Sequence, residues 1–209
     1  MTGLGLAAAL PFNQTKGDPL LSLGPVFAIR AKDSVEGEQW ALNAGTGGQI
    51  LRAKYGSVAR AEIRRGVGAI FPGTTTNYIS IPDAANLRLT QDPEIAVRFT
   101  VESLTPSSWQ SLACKWAGGG QKSILFGIAG SGSGQLNFQK SADGTTNDSQ
   151  FASVTLASAG LVVGNTYWLR ARVVGTNLYF EWAPDSPTKP SSGWTQIGTT
   201  RTLTSSTIW

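Results

Sequence analysis

The chain has 209 residues, 14% of them charged and 25 of them glycine, with a formal net charge of +4 and a pI near 9.4. It is long enough to bury a sizeable core, and sparse charge with frequent Gly, Ser and Thr favours many short strands joined by tight turns over long amphipathic helices. No histidine is present, which removes the commonest general base and metal ligand and excludes a Ser/His or Cys/His nucleophile arrangement within this chain.

The N-terminal GLGLAAALPF is apolar, yet no Lys or Arg precedes it and the run is short. It is therefore not read as a signal peptide, and no span approaches transmembrane length. With DPLLSLGPVF following, it is expected to be an arm that packs against another molecule through Leu4, Leu6, Leu10 and Phe12. Residues 1–66 carry Pro11, Pro19, Pro25, the loop NAGTGG and only short strand candidates, VFAIRAK and EQWAL. They are expected to form an extended attachment region. Five basic residues, Arg52, Lys54, Arg60, Arg64 and Arg65, fall there beside a single acid, Glu62. No nucleic-acid-binding fold has its signature in the chain. The cluster is read as a local basic face, with Arg60, Arg64 and Arg65 in a subunit contact.

Residues 67–209 are a succession of strand candidates with turn punctuation. They are GAIF (68–71), NYISIP (77–82), EIAVRFTVE (94–102), QSLACKWA (110–117), SILFGIA (123–129), QLNFQKS (135–141), QFASVTL (150–156) and WTQIGT (194–199). GGGQK, GSGSG and SADGTTNDS supply turns. Between the last two strands lies the clearest element, TYWLRARVVGTNLYFEWAP. Tyr167, Leu169, Ala171 and Val173 alternate with Trp168, Arg170 and Arg172. After a Gly-Thr-Asn turn, Leu178, Phe180 and Trp182 alternate with Tyr179, Glu181 and Ala183. This predicts an antiparallel hairpin with one apolar face in the core and one partly wet face, where arginine stems cover Trp168. Many short strands at this spacing predict an all-β sandwich or jelly roll. The single cysteine, Cys114, is expected to be small and buried in its apolar run.

Carbohydrate recognition wants an aromatic face for a sugar ring and amide or carboxylate groups for its hydroxyls, commonly on loops over a rigid scaffold. Trp109 in the turn TPSSWQ, and Asp143, Asn147 and Asp148 in SADGTTNDS, are the candidates. The three loop residues also offer oxygen ligands for calcium. The alternative is ordinary turn chemistry, since Asp and Asn are what a tight turn needs.

Four stretches together, LNAGTGGQILRAKYGS, IFPGTTTNYISIPDAANLRLTQDPEIAVRFTVE, SLACKWAGGGQKSILFGI and TYWLRARVVGTNLYFEWAPDSPTKPSSGWTQIG, resemble the minor tail proteins of actinobacteriophages that carry a concanavalin A-like lectin/glucanase (laminin G-like) domain. The resemblance covers roughly residues 42–209 and rests on the order of the motifs. It implies a jelly-roll sandwich of two antiparallel sheets on a virion, attached to surface glycans or to neighbouring virion proteins. In that pattern a further strand follows WTQIG, so the polypeptide is expected to continue beyond Trp209. Glycoside hydrolases on this sandwich use an E-x-D-x-x-E strand. Here the nearest approach, Glu36 and Glu38 in VEGEQW, precedes the sandwich and lacks the third acid. The expectation is a non-enzymatic, homo-oligomeric virion component, docked by its arm and displaying a lectin-like domain towards a host cell-surface glycan, with no nucleic acid or membrane partner. The alternatives are a capsid-decorating or head-fibre protein without glycan binding, and a carbohydrate-binding module of a secreted bacterial protein.

Overall fold

The computed structural model describes residues 92–117 and 119–208, together with the backbone of five short strands before them. Those strands are β1 (Trp40–Ala41), β2 (Ala53–Tyr55), β3 (Ala59–Ile63), β4 (Gly66–Ile70) and β5 (Ile79–Ser80). β1, β2 and β5 form one small antiparallel sheet, and β3 and β4 pair as a hairpin. The division expected after residue 66 falls inside β4, and β2 pairs with β5 across it. Leu4, Leu6, Leu10, Phe12, Arg64, Arg65, Glu36 and Glu38 lie outside the described residues, and Arg60 is described only as a backbone position in β3.

From residue 92 onward the described chain is all-β, with no helix. β7 (Gln110–Ala117), β8 (Gln121–Ile128), β9 (Leu136–Lys140) and β10 (Asp148–Phe151) form a four-stranded antiparallel sheet in the order β10-β9-β8-β7. The second sheet contains β6 (Glu94–Thr100), β11 (Thr166–Val174), β12 (Asn177–Pro184) and β13 (Thr195–Gln196), with β14 (Arg201–Thr202) also on β12. The two sheets pack face to face as a β-sandwich.

Alternation decides what lies between them. Ile124, Phe126 and Ile128 of β8 and Leu136 and Phe138 of β9 are buried against Tyr167, Leu169, Ala171 and Val173 of β11 and Leu178 and Phe180 of β12. Each large side chain removed from water in this way contributes about 1.5–3 kcal/mol. The hairpin faces match the sequence expectation. Trp182 packs edge-on to Tyr167 at 5.4 Å between ring centroids, and the Tyr167 hydroxyl accepts the Val162 N–H. The turn is tighter than the Gly-Thr-Asn expected, because Val174 pairs directly with Asn177 and only Gly175 and Thr176 remain in the loop.

The other face of this hairpin is partly wet, with Arg172 33% and Glu94 28% exposed, and its charges are paired. Asp185 takes two hydrogen bonds from Arg98, and Arg170 bonds both Glu94 and Glu181. Lys189 pairs with Glu94. The Arg170 guanidinium lies 4.0 Å from the Trp194 ring centroid, and that of Arg172 lies 4.5 Å from Tyr179. Rings other than Trp168 therefore take the arginines in cation–π contacts, while the Trp168 indole N–H donates to the Ser186 carbonyl. Residues 185–194 thus roof the outer face with ion pairs.

Three further expectations change. β10 begins at Asp148 and ends at Phe151, so Asp148 belongs to a strand and the residues from Ala152 do not. The reason is that Leu156 and Leu161 turn inward from a loop to fill the core. Cys114 is exposed, because β7 is the outer strand of its sheet and its pairing with β8 is interrupted by two irregularities. WTQIGT supplies only a two-residue strand, after which residues 197–200 form a connection and the chain returns to β12 as β14.

Candidate functional site

The loop 141–147 joins β9 to β10, and its sequence is spent largely on its own geometry. Asp143 Oδ1 accepts from the Thr145 and Thr146 N–H groups and from the Thr146 and Ser141 hydroxyls. These bonds favour the ionised form and hold the carboxyl well below the usual carboxylate range, led by the Thr146 N–H. The Asn147 side-chain amide donates to Gln139. Among the described residues no group of three or more His, Cys, Asp or Glu side chains is placed to hold a metal ion.

Asp148 faces inward and does something the sequence did not announce. It pairs directly across from Lys140, whose side chain is 1% exposed although its neighbours on that face are core residues. The Lys140 ammonium donates to Ser205 Oγ and the Thr207 carbonyl, each at 2.9 Å, and lies 4.0 Å from Asp148 Oδ2. That carboxylate oxygen accepts from both the N–H and hydroxyl of Thr204. Desolvation lowers the Lys140 pKa, with the Asp148 charge opposing it. Burial acts to raise the Asp148 pKa, but bonds from Gln150 and Thr204 and the Lys140 charge outweigh it and leave it lowered. The pair fastens residues 204–208 across the edge of the sandwich. The cross-strand Lys/Asp spacing was present in the sequence, but nothing local marked Lys140 as an inward-facing cation.

Trp109 lies elsewhere. It precedes β7 at the end of the sheet where β8 turns into β9, whereas Asp143 lies beyond the other end of β9. The five residues of β9, at about 3.3 Å each, separate the two ends by roughly 17 Å. The structure therefore does not bring Trp109 together with Asp143, Asn147 and Asp148.

It brings Trp109 together with Phe151. The two rings, 37% and 41% exposed, border an open cleft of about 610 Å³ whose other walls include four serines (Ser107, Ser108, Ser131 and Ser133) and Gln135. No lining residue is charged. The indole lies over Gly127, where a Cβ would come within 2.9 Å of the ring and 2.5 Å of the Gln110 carbonyl oxygen. The bare backbone of β8 is thus a flat seat for the ring. The loop carrying Trp109 is tied to the β8–β9 turn by bonds from Ser131 N–H to the Ser107 carbonyl and from Gly132 N–H to the Pro106 carbonyl. Gln135 is tied to the Ala152 carbonyl beside Phe151. Pairing sets Gly127, Asn137 and Phe151 side by side on three neighbouring strands. Asn137 between them is fully buried, and its side-chain oxygen has no hydrogen-bond partner in the structure. Phe151 was not among the sequence candidates, because QFASVTL reads only as a strand candidate and no local pattern in it sets one aromatic on the exposed face.

No family model matches this chain, and neither a curated protein nor a solved structure shows significant similarity to it.

Proposed function

We propose that the chain is a non-enzymatic structural component of a bacteriophage virion, of the minor tail type, whose sandwich is a concanavalin A-like jelly roll carried outward on its N-terminal arm to attach to a host-surface glycan. The observation that carries this reading is the Trp109–Phe151 cleft. Two exposed rings on a braced, uncharged loop platform suit the apolar faces of sugars, and the cleft volume of about 610 Å³ falls within the 300–1,000 Å³ usual for ligand clefts. The carboxylates of Glu94 and Glu181 support the non-catalytic part of the reading. Both are held by Arg170, and further by Lys189 and Arg172 respectively, an arrangement for bracing a sheet and not for passing a proton to a glycosidic oxygen.

The test is a glycan array probed with the full chain, with and without calcium. Specific binding to one glycan class supports the attachment role. A silent array from a chain that shows a cooperative melt removes that role, and leaves a virion part that decorates or builds without binding sugar.

A further inference from the structure

We propose that the Trp109–Phe151 cleft takes a neutral saccharide, stacked by one ring face on Trp109 and hydrogen-bonded by its hydroxyls to uncharged groups, without a bridging metal ion. This rests on the attachment reading above and adds the ligand's charge class, its site and its mode of binding.

Two observations point there. First, the lining contains hydroxyls, an amide and two rings but no Lys, Arg, Asp or Glu. A sialylated, uronic or phosphate-bearing glycan would leave its charge without a counter-charge in such a site. Hydroxyl groups, by contrast, match serines that both donate and accept. Second, the rings are presented differently. Trp109 is backed by the Gly127 backbone and held by its loop, so it is a fixed platform that a ligand meets without ordering it first. Phe151, on the outer strand β10, closes the opposite side.

The calcium alternative at Asp143, Asn147 and Asp148 predicts a different behaviour. Those groups already accept or donate within the loop and to Thr204, at the far end of the sheet. A ligand held by the aromatic cleft is therefore indifferent to chelator.

The experiment measures binding of the full chain to immobilised mannan, galactan and glucan, and to hyaluronate and a phosphate-bearing polysaccharide as anionic counterparts. It is run with and without EDTA, and between ~0.05 and ~0.5 M salt. Binding to at least one neutral polysaccharide is expected, unchanged by EDTA and by salt. Trp109→Ala and Phe151→Ser are each expected to weaken it by roughly tenfold or more, with Asp143→Ala as wild type. Because Trp109 also covers Gly127, thermal melts accompany each variant. Phe151→Ser, on an exposed edge, tests the same site without disturbing that seat. Binding that both ring variants retain, that needs the metal, or that is confined to anionic polysaccharides overturns the inference and leaves attachment through another surface standing. Failure to bind any polysaccharide, together with a silent array, removes both.

Discussion

At the scale of single residues, the decisive group is Lys140. A lysine on the inner face of a strand is costly unless its ammonium is met, and here it is met by Ser205, the Thr207 carbonyl and the Asp148 carboxylate. Asp148→Asn keeps the shape and removes the counter-charge, so it is expected to cost about 3 kcal/mol at neutral pH, as breaking one side of a buried pair does. The direction with pH follows from the lysine. Its folded value is already lowered by desolvation and falls further when Asp148 loses its charge. The penalty therefore shrinks as pH rises towards about 10.4, the ordinary lysine value, where the unfolded chain also loses the proton. At the acid end the sign reverses. The lowered pKa of Asp148 means that the stability it contributes is present above about 3.9, its ordinary unfolded value, and is lost as pH falls through the folded value. Urea unfolding of both proteins across pH measures the two effects. A penalty independent of pH between 7 and about 10.4 would show that the charge is not what matters.

At the scale of elements, the hairpin β11–β12 depends on a two-residue loop. Gly175 has a φ of 61° and Thr176 is not among the positive-φ residues, the pattern of a type II′ turn with glycine in its first central position. The Gly175 N–H is also taken by Asp92 at 2.6 Å. There is open space around the missing Cβ, so a side chain is refused by the backbone angle and not by a neighbour. Gly175→Val is expected to destabilise by about 1–3 kcal/mol without changing the cleft, which lies on the other sheet. Denaturant midpoints measured beside glycan binding check both halves of that expectation. Gly127 obeys a different rule. Its strand conformation is ordinary, but the Trp109 ring and the Gln110 carbonyl occupy the place of a Cβ, so Gly127→Ala is expected to unseat Trp109 and weaken binding before it unfolds the domain.

The whole molecule is joined at more than its core. The chain leaves the five-stranded sheet after β6, builds the four-stranded sheet as β7 to β10, and returns for β11 to β14. Past β14, Leu203 and Ile208 are 2% and 7% exposed, and Thr204, Ser205 and Thr207 bond back to Asp148 and Lys140. The final described segment thus ties the second sheet to the first along one edge, while residues 185–194 close the outer face of the second sheet with ion pairs. Ile208→Asp places an unpaired charge at that tie and is expected to cost about 3 kcal/mol. Because both sheets share the tie, the loss should appear as one earlier transition, coincident by far-UV circular dichroism and tryptophan fluorescence. Separate transitions would show that the sheets melt independently.

The sequence alone determined the strand class, the glycine-rich turn segments and the inward and outward faces of β11 and β12. Those follow from period-2 alternation and from glycine in tight turns, and both are local properties of a few consecutive residues. It also placed Trp109 in a turn as a candidate sugar contact. Only the tertiary structure decided that Asp148 opposes Lys140 and reaches Thr204, which is 56 positions away in the chain; that Arg170 stacks on Trp194; that Cys114 faces outward on an outer strand; and that the partner of Trp109 is Phe151 and not Asp143. Each of these depends on strand register and on which ends of a sheet lie together. Register is set by the summed packing of whole strands, so no short stretch of sequence contains it.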